Sequence, residues 1–246
     1  MYWLINKRGH DRKMTNSKTE VILALDVESR AKAEHILEKT GDDLQWVKIG
    51  LQTYLRDGGS FLKDVSATGK SIFLDLKLHD IPNTMEKAIE SLSSLPIKML
   101  TLHSTAGPEA LEKCAQVAKE FIPDTQLLAV TVLTSMNQAN LNAIGVNIDI
   151  SEQVDNLAKM SIESGINGIV SSPLELVRLR PKLPPKTIFV TPGIRPVGSS
   201  SGDQKRIMTP KQAAQSGANF LVIGRPILQA VEPKKTLLEI QAELSV

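Results

Sequence analysis

Eight short apolar runs recur along the chain: VILALD (21–26), WVKIG (46–50), SIFLDLK (71–77), KMLTLHS (98–104), LLAVTVLT (127–134), GIVSS (168–172), TIFVTPG (187–193) and FLVIGRP (220–226). Between them lie segments with apolar residues at helical spacing, among them AKAEHILEKT, TMEKAIESLSSL, PEALEKCAQVAKEF and SEQVDNLAKMSIES. Strands that alternate with helices form parallel βαβ units, because a parallel neighbour requires a long crossover. Eight such units in 246 residues predict an α/β fold, a single-domain (β/α)8 TIM barrel of the usual ~250 residues. An open doubly wound sheet is the alternative. It lacks its glycine-rich first turn, since Asp26-Val27-Glu28-Ser29 follows the first run.

Local signals agree with this register. Ser172-Pro173-Leu174-Glu175 and Thr209-Pro210-Lys211-Gln212 read as capping boxes with proline at the first helical position. Gly165 and Gly217 stand where helices stop. The connection GIRPVGSSSGDQKRIMT, residues 193–209, has no hydrophobic period. A structureless loop of that length is usually functional. It is read as a mobile lid over the active face, with an inert loop as the alternative.

Residues 1–18 are read as a disordered basic tail and 19–246 as the catalytic barrel. The first 13 residues hold Lys7, Arg8, Arg12 and Lys13 against Asp11. Met14 opens a more ordinary beginning, so the preceding residues are a candidate start-codon artefact. With a net charge of only +2, the body is close to neutral and offers no basic face for nucleic acid. No apolar run reaches the ~20 residues that span a bilayer. The single Cys114 fits a reducing cytoplasm, and no Cys/His spacing suggests zinc.

The chemistry concentrates in Asp75-Leu-Lys-Leu-His-Asp-Ile-Pro-Asn-Thr84, DLKLHDIPNT, which directly follows the apolar Ile72-Phe73-Leu74. Strand side chains alternate between faces. Asp75 and Lys77 therefore share the inward face with Phe73, while Leu74 and Leu76 face the helices. By the same parity Asp26, Lys48 and His103 point inward from neighbouring strand ends. Five such side chains should converge at the C-terminal mouth. A self-neutralising ion network is the bland reading, but buried ion pairs are poor devices for stability. Charges on several consecutive strand ends favour catalysis instead. His103 taken alone is equally a packed, hydrogen-bonded histidine. The eighth run ends in Ile223-Gly224-Arg225-Pro226. Glycine admits close backbone approach, a helix N-terminus attracts anions, and arginine offers a bidentate fork. In these barrels that position commonly holds phosphate.

DLKLHDIPNT, with VKIG before it, VTVLTS in the middle, and VTPGIRP, GDQKRIMTP and VIGRP after it, resembles the orotidine 5′-phosphate decarboxylases of bacteria. The resemblance runs from Val21 onward. It implies a homodimer that converts orotidine 5′-monophosphate to uridine 5′-monophosphate and carbon dioxide in pyrimidine synthesis, with no cofactor and no metal. It implies a charge network of Lys48, Asp75, Lys77 and Asp80, in which Lys77 donates the proton. Asp80 and Thr84 would come from the partner subunit. Asp26 and Lys48 would contact ribose, and Thr134 the pyrimidine, with Ser135 a close competitor. Arg195, Gln204, Gly224 and Arg225 would contact phosphate or form the lid. Two other readings stand beside this one. A related Mg²⁺-dependent sugar-phosphate decarboxylase or aldolase would share the Asp-x-Lys-x-x-Asp pattern. A catalytically dead barrel would bind nucleotide without turnover.

Overall fold

The computed structural model describes residues 19–196 and 207–244. The tail reading for residues 1–18 and most of the lid reading, including Gln204, lie outside them. Eight parallel strands close into one barrel in sequence order. They are β1 (Glu20–Ala24), β2 (Trp46–Gly50), β3 (Ser71–Leu78), β4 (Ile97–His103), β5 (Gln126–Val130), β6 (Gly168–Val170), β7 (Ile188–Thr191) and β8 (Phe220–Ile223). Each of the eight apolar runs thus contributes one strand, and the doubly wound alternative falls away because β8 pairs with β1.

The helices are α1 (Arg30–Thr40), α2 (Leu51–Ala67), α3 (Pro82–Ser91), α4 (Pro108–Phe121), α5 (Gln138–Ala143), α6 (Ile150–Glu163), α7 (Leu176–Leu179), α8 (Pro210–Gln215), α9 (Arg225–Leu228) and α10 (Pro233–Glu243). Both expected capping boxes form. Thr209 caps α8, whereas Ser172 caps a single 3₁₀ turn ahead of α7. Gly165 and Gly217 take positive φ just beyond α6 and α8.

The strands bury two faces, as all-parallel sheets do. Val21, Leu23, Leu74, Leu100 and Ile169 face outward into the layer beneath the helices. Ile22, Ala24, Phe73, Met99, Leu128, Val190 and Val222 fill the barrel. Trp46 and Phe220 close its lower end edge to face, their ring centroids 5.2 Å apart. Above this apolar plug the same inward parity delivers Asp26, Lys48, Asp75, Thr101 and His103. The polar layer therefore rests on a packed floor that fixes its height along the barrel axis.

Candidate active site

Four charges alternate in sign across the mouth. Lys48 Nζ donates to Asp26 at 3.0 and 3.2 Å and lies 3.4 Å from Asp75 Oδ2. Lys77 Nζ donates to Asp75 Oδ1 at 2.8 Å. Asp75 is only 9 % exposed, so it sits in the medium where an unpaired carboxylate is most costly. Burial pushes its pKa up. The neighbouring charges of Lys48 and Lys77, with hydrogen bonds from Lys77 and Thr101, outweigh burial and hold it below the usual carboxylate range. Asp75 is thus an anion held between two cations, with one oxygen turned to each.

The spacing of Asp75 and Lys77 works by a different route from simple alternation. Leu74 pairs with Leu100 and Leu78 with Leu102, so β3 spends four residues where β4 spends two. The extra residues form a bulge across Asp75-Leu76-Lys77. Lys77 has φ +50°, the only positive φ of a non-glycine residue among the described residues. Strain of this kind collects at functional sites, and bulges there re-aim side chains.

The loops after β7 and β8 border the same mouth. Arg195 is buried; its N–H donates to Met208 O at 2.9 Å and its guanidinium to Ile194 O at 2.8 Å. Gly224 follows β8 beside Ala24, and Arg225 opens α9 half-buried. Helix α9 is a single turn, so a dipole adds little there and the Arg225 cation is the stronger positive charge at this corner. An added Cβ at Gly224 would meet Ala24 Cβ at 3.4 Å, an ordinary contact. Packing among the described residues therefore does not demand this glycine.

A model of the orotidine 5′-phosphate decarboxylase / HUMPS family matches residues 19–240. The chain belongs to this family. Orotidine 5′-phosphate decarboxylase of Opitutus terrae is 45 % identical over 225 residues, covering 92 % of this chain and 98 % of its own. The enzyme of that name from Gluconobacter oxydans is 44 % identical over 232 residues, covering 93 % and 98 %. The crystal structure of orotidine 5′-phosphate decarboxylase from Lactobacillus acidophilus superposes with a TM-score of 0.83 at 35 % identity, covering 93 % of this chain and all of that one.

Within this decarboxylase-family barrel, the expected residues divide into two sets. Asp26, Lys48, Asp75 and Lys77 meet directly. Asp80 and Thr84 are exposed, and Asp80 accepts from the N–H of Ile81 at 2.7 Å, outside the ion array formed by the described residues. Thr134 is half-buried in the turn after β5, and Ser135 is exposed. His103 reaches the mouth but stays out of the ion array. Its Nδ1 lies 2.8 Å from Thr105 Oγ1, and its ring stacks on His79 with centroids 5.2 Å apart. Burial, then His79 and Lys77, lower its pKa, which favours neutral imidazole.

Three participants escaped the sequence reading. His79, exposed in the loop just past β3, stacks on His103. Thr101, fully buried on β4, bonds to both Asp75 and Lys77. Gly50 ends β2, and a Cβ added there would fall 2.8 Å from Asp26 Oδ1 and 3.0 Å from Lys48 Nζ. Its φ of −91° and ψ of −178° suit any residue, so the glycine is required for space alone. Gly50→Ala should fold normally, because both crowding atoms are side-chain ends. It should lose about 10- to 100-fold in kcat/KM, the scale on which a ~1 Å misplacement acts. Steady-state kinetics alongside thermal melting checks this; unchanged kinetics would remove Gly50 from the site.

Proposed function

We propose that this protein decarboxylates orotidine 5′-monophosphate to uridine 5′-monophosphate, and that Lys77 protonates the pyrimidine carbon from which carbon dioxide departs. Membership of the decarboxylase family supports the reaction. The observation that carries the residue assignments is the alternating Asp26–Lys48–Asp75–Lys77 array, with its strained lysine, at the barrel mouth.

The bond from C6 to the carboxylate breaks, and its electron pair stays on C6. The ring delocalises that pair poorly, so the site must stabilise it electrostatically. Lys77 supplies a positive charge and then a proton to C6, regaining its own from solvent. Asp75 lies beside the departing carboxylate. Two such anions ~4 Å apart repel by about 4 kcal/mol at an effective dielectric near 20. Enzymatic barrier reductions are about 8–23 kcal/mol, so this repulsion supplies only a part. Lys48 keeps Asp75 ionised and, with Asp26, meets the ribose. Thr134, or Ser135 beside it, contacts the base. Arg195, Gln204, Gly224 and Arg225 hold the phosphate, whose binding energy closes the site.

A homodimer completes the site by donating Asp80 and Thr84 from each partner. Exposed apolar residues stand on the two connections that follow β2 and β3: Ile81 is 66 % exposed, and Leu51 and Leu55 on α2 are 51 % and 79 % exposed. The ends of β2 and β3 are adjacent, Gly50 pairing with Asp75, so the start of α2 and the approach to α3 leave the barrel side by side. Residues 19–246 act as one catalytic domain in the cytoplasm. No helix among the described residues is long and apolar enough to cross a membrane.

Mixing Lys77→Ala with Asp80→Ala protein tests the shared site. Random exchange should restore about one quarter of wild-type activity, because half the dimers then carry one intact site. Failure to recover with exchange demonstrated would refute donation across the interface. The reaction itself is tested by following loss of orotate absorbance from orotidine monophosphate in excess EDTA. Rapid loss is expected. No loss, with Mg²⁺-restored activity on a sugar phosphate, would favour the metal-dependent alternative. In that case Asp26 and Asp75 would have to exchange lysine partners for a cation.

A further inference from the structure

The bulge in β3 raises a question of what holds it. In a regular parallel ladder each N–H meets a carbonyl of the next strand. Through the bulge that pairing is interrupted, and the Lys77 N–H meets a side chain instead, Thr101 Oγ1 at 2.9 Å. The same hydroxyl donates to Asp75 Oδ1 at 2.9 Å. A hydroxyl is one of the few side-chain groups that donates and accepts at once. Thr101 is fully buried between Leu100 and Leu102 on β4, so water has no ready access to replace it. One oxygen thus ties the strained backbone of the lysine to the carboxylate that the lysine's own ammonium contacts.

We propose that Thr101 is the positioning residue of the reaction: its hydroxyl clamps the β3 bulge and so sets the Lys77 ammonium against Asp75. The role rests on the decarboxylase reading for its kinetic consequence, but not for its structural one. Without the hydroxyl, the Lys77 N–H loses its partner, and a buried unpaired N–H favours relaxation of the strand. A relaxed strand removes the positive φ and swings the lysine side chain away from its aim. Substrate contacts made by the phosphate and ribose residues stay in place, so the loss should fall on kcat and not on KM.

The decisive comparison sets Thr101→Val, which keeps the shape and removes the hydroxyl, against Thr101→Ser, which keeps the hydroxyl. Thr101→Val should lower kcat at least tenfold with KM changed less than threefold. Thr101→Ser should remain within about threefold of wild type. Thr101→Ala serves as the second hydroxyl-free variant if the valine protein does not fold. Crystal structures of the variants give a readout independent of activity: Lys77 should leave the positive-φ region in the hydroxyl-free protein and keep it in the serine variant. An unchanged kcat, an equal loss in the serine variant, or an unaltered bulge in the hydroxyl-free protein would each overturn the inference. Wild-type protein inactive on orotidine monophosphate would instead refute the reaction, leaving the crystallographic comparison to decide the role of Thr101.

Discussion

Lys77→Ala should lose about 10⁴-fold in kcat while still binding uridine monophosphate. Two contributions vanish together. General acid catalysis by a positioned side chain is worth about 10²–10⁴-fold, and one well-placed electrostatic donor about 10²–10³-fold. The two are carried by one ammonium and do not simply multiply, so the expected loss lies near the product of their lower values, about 10⁴-fold, and the product of the upper values, about 10⁷-fold, is a ceiling. The variant also leaves Asp75 with Lys48 as its remaining ion-pair partner among the described residues. A product complex carries no carboxylate to oppose Asp75, so product affinity should change far less than kcat. Single-turnover rates and calorimetric binding check both halves. A loss below tenfold would assign the proton to another group, and a matching loss of product affinity would make Lys77 a binding residue.

Asp26, Lys48 and Asp75 were legible as inward because strand parity is a two-residue rule that needs only the sequence. Phe73 in the barrel and Leu74 outside it confirm the parity on which Asp75 was placed. The bulge was not legible: nothing in LDLKL marks an extra pair of residues, since a bulge is defined by the neighbouring strand. Thr101 was hidden for the same reason. A β-branched residue inside an apolar strand has an ordinary explanation, and its second role exists only once Asp75 and Lys77 stand beside it. Gly50 read as the end of a strand. The need for a missing Cβ arises from two side chains on β2 and just beyond β1, brought together by the barrel. Signals confined to one element could be read from the chain. Those created by pairing, including a clamp, a vacancy and the stacking of His79 on His103, required the fold.

Arg225→Ala should lower kcat/KM for orotidine monophosphate at least about 10²-fold. Hydrogen bonds to charged groups contribute about 1.5–3 kcal/mol each, and each 1.4 kcal/mol is tenfold. A guanidinium meeting phosphate through two such bonds therefore contributes about 3–6 kcal/mol, or about 10²- to 10⁴-fold. Lys98→Ala is the matched control. Lys98 lies near the start of β4, at the opposite end of the barrel, and is half-exposed, so the same loss of charge there should change kcat/KM less than twofold. The stronger test replaces the substrate with orotidine, which lacks the phosphate. On that substrate wild type and Arg225→Ala should turn over equally slowly, because the group the arginine serves is gone. The ratio of ratios isolates the contact between Arg225 and phosphate from any general damage. If the variant is further impaired on orotidine, Arg225 acts on the barrel or the nucleoside and the phosphate assignment fails. Equality on orotidine combined with a large loss on the nucleotide would place remote binding energy in the service of the reacting carbon.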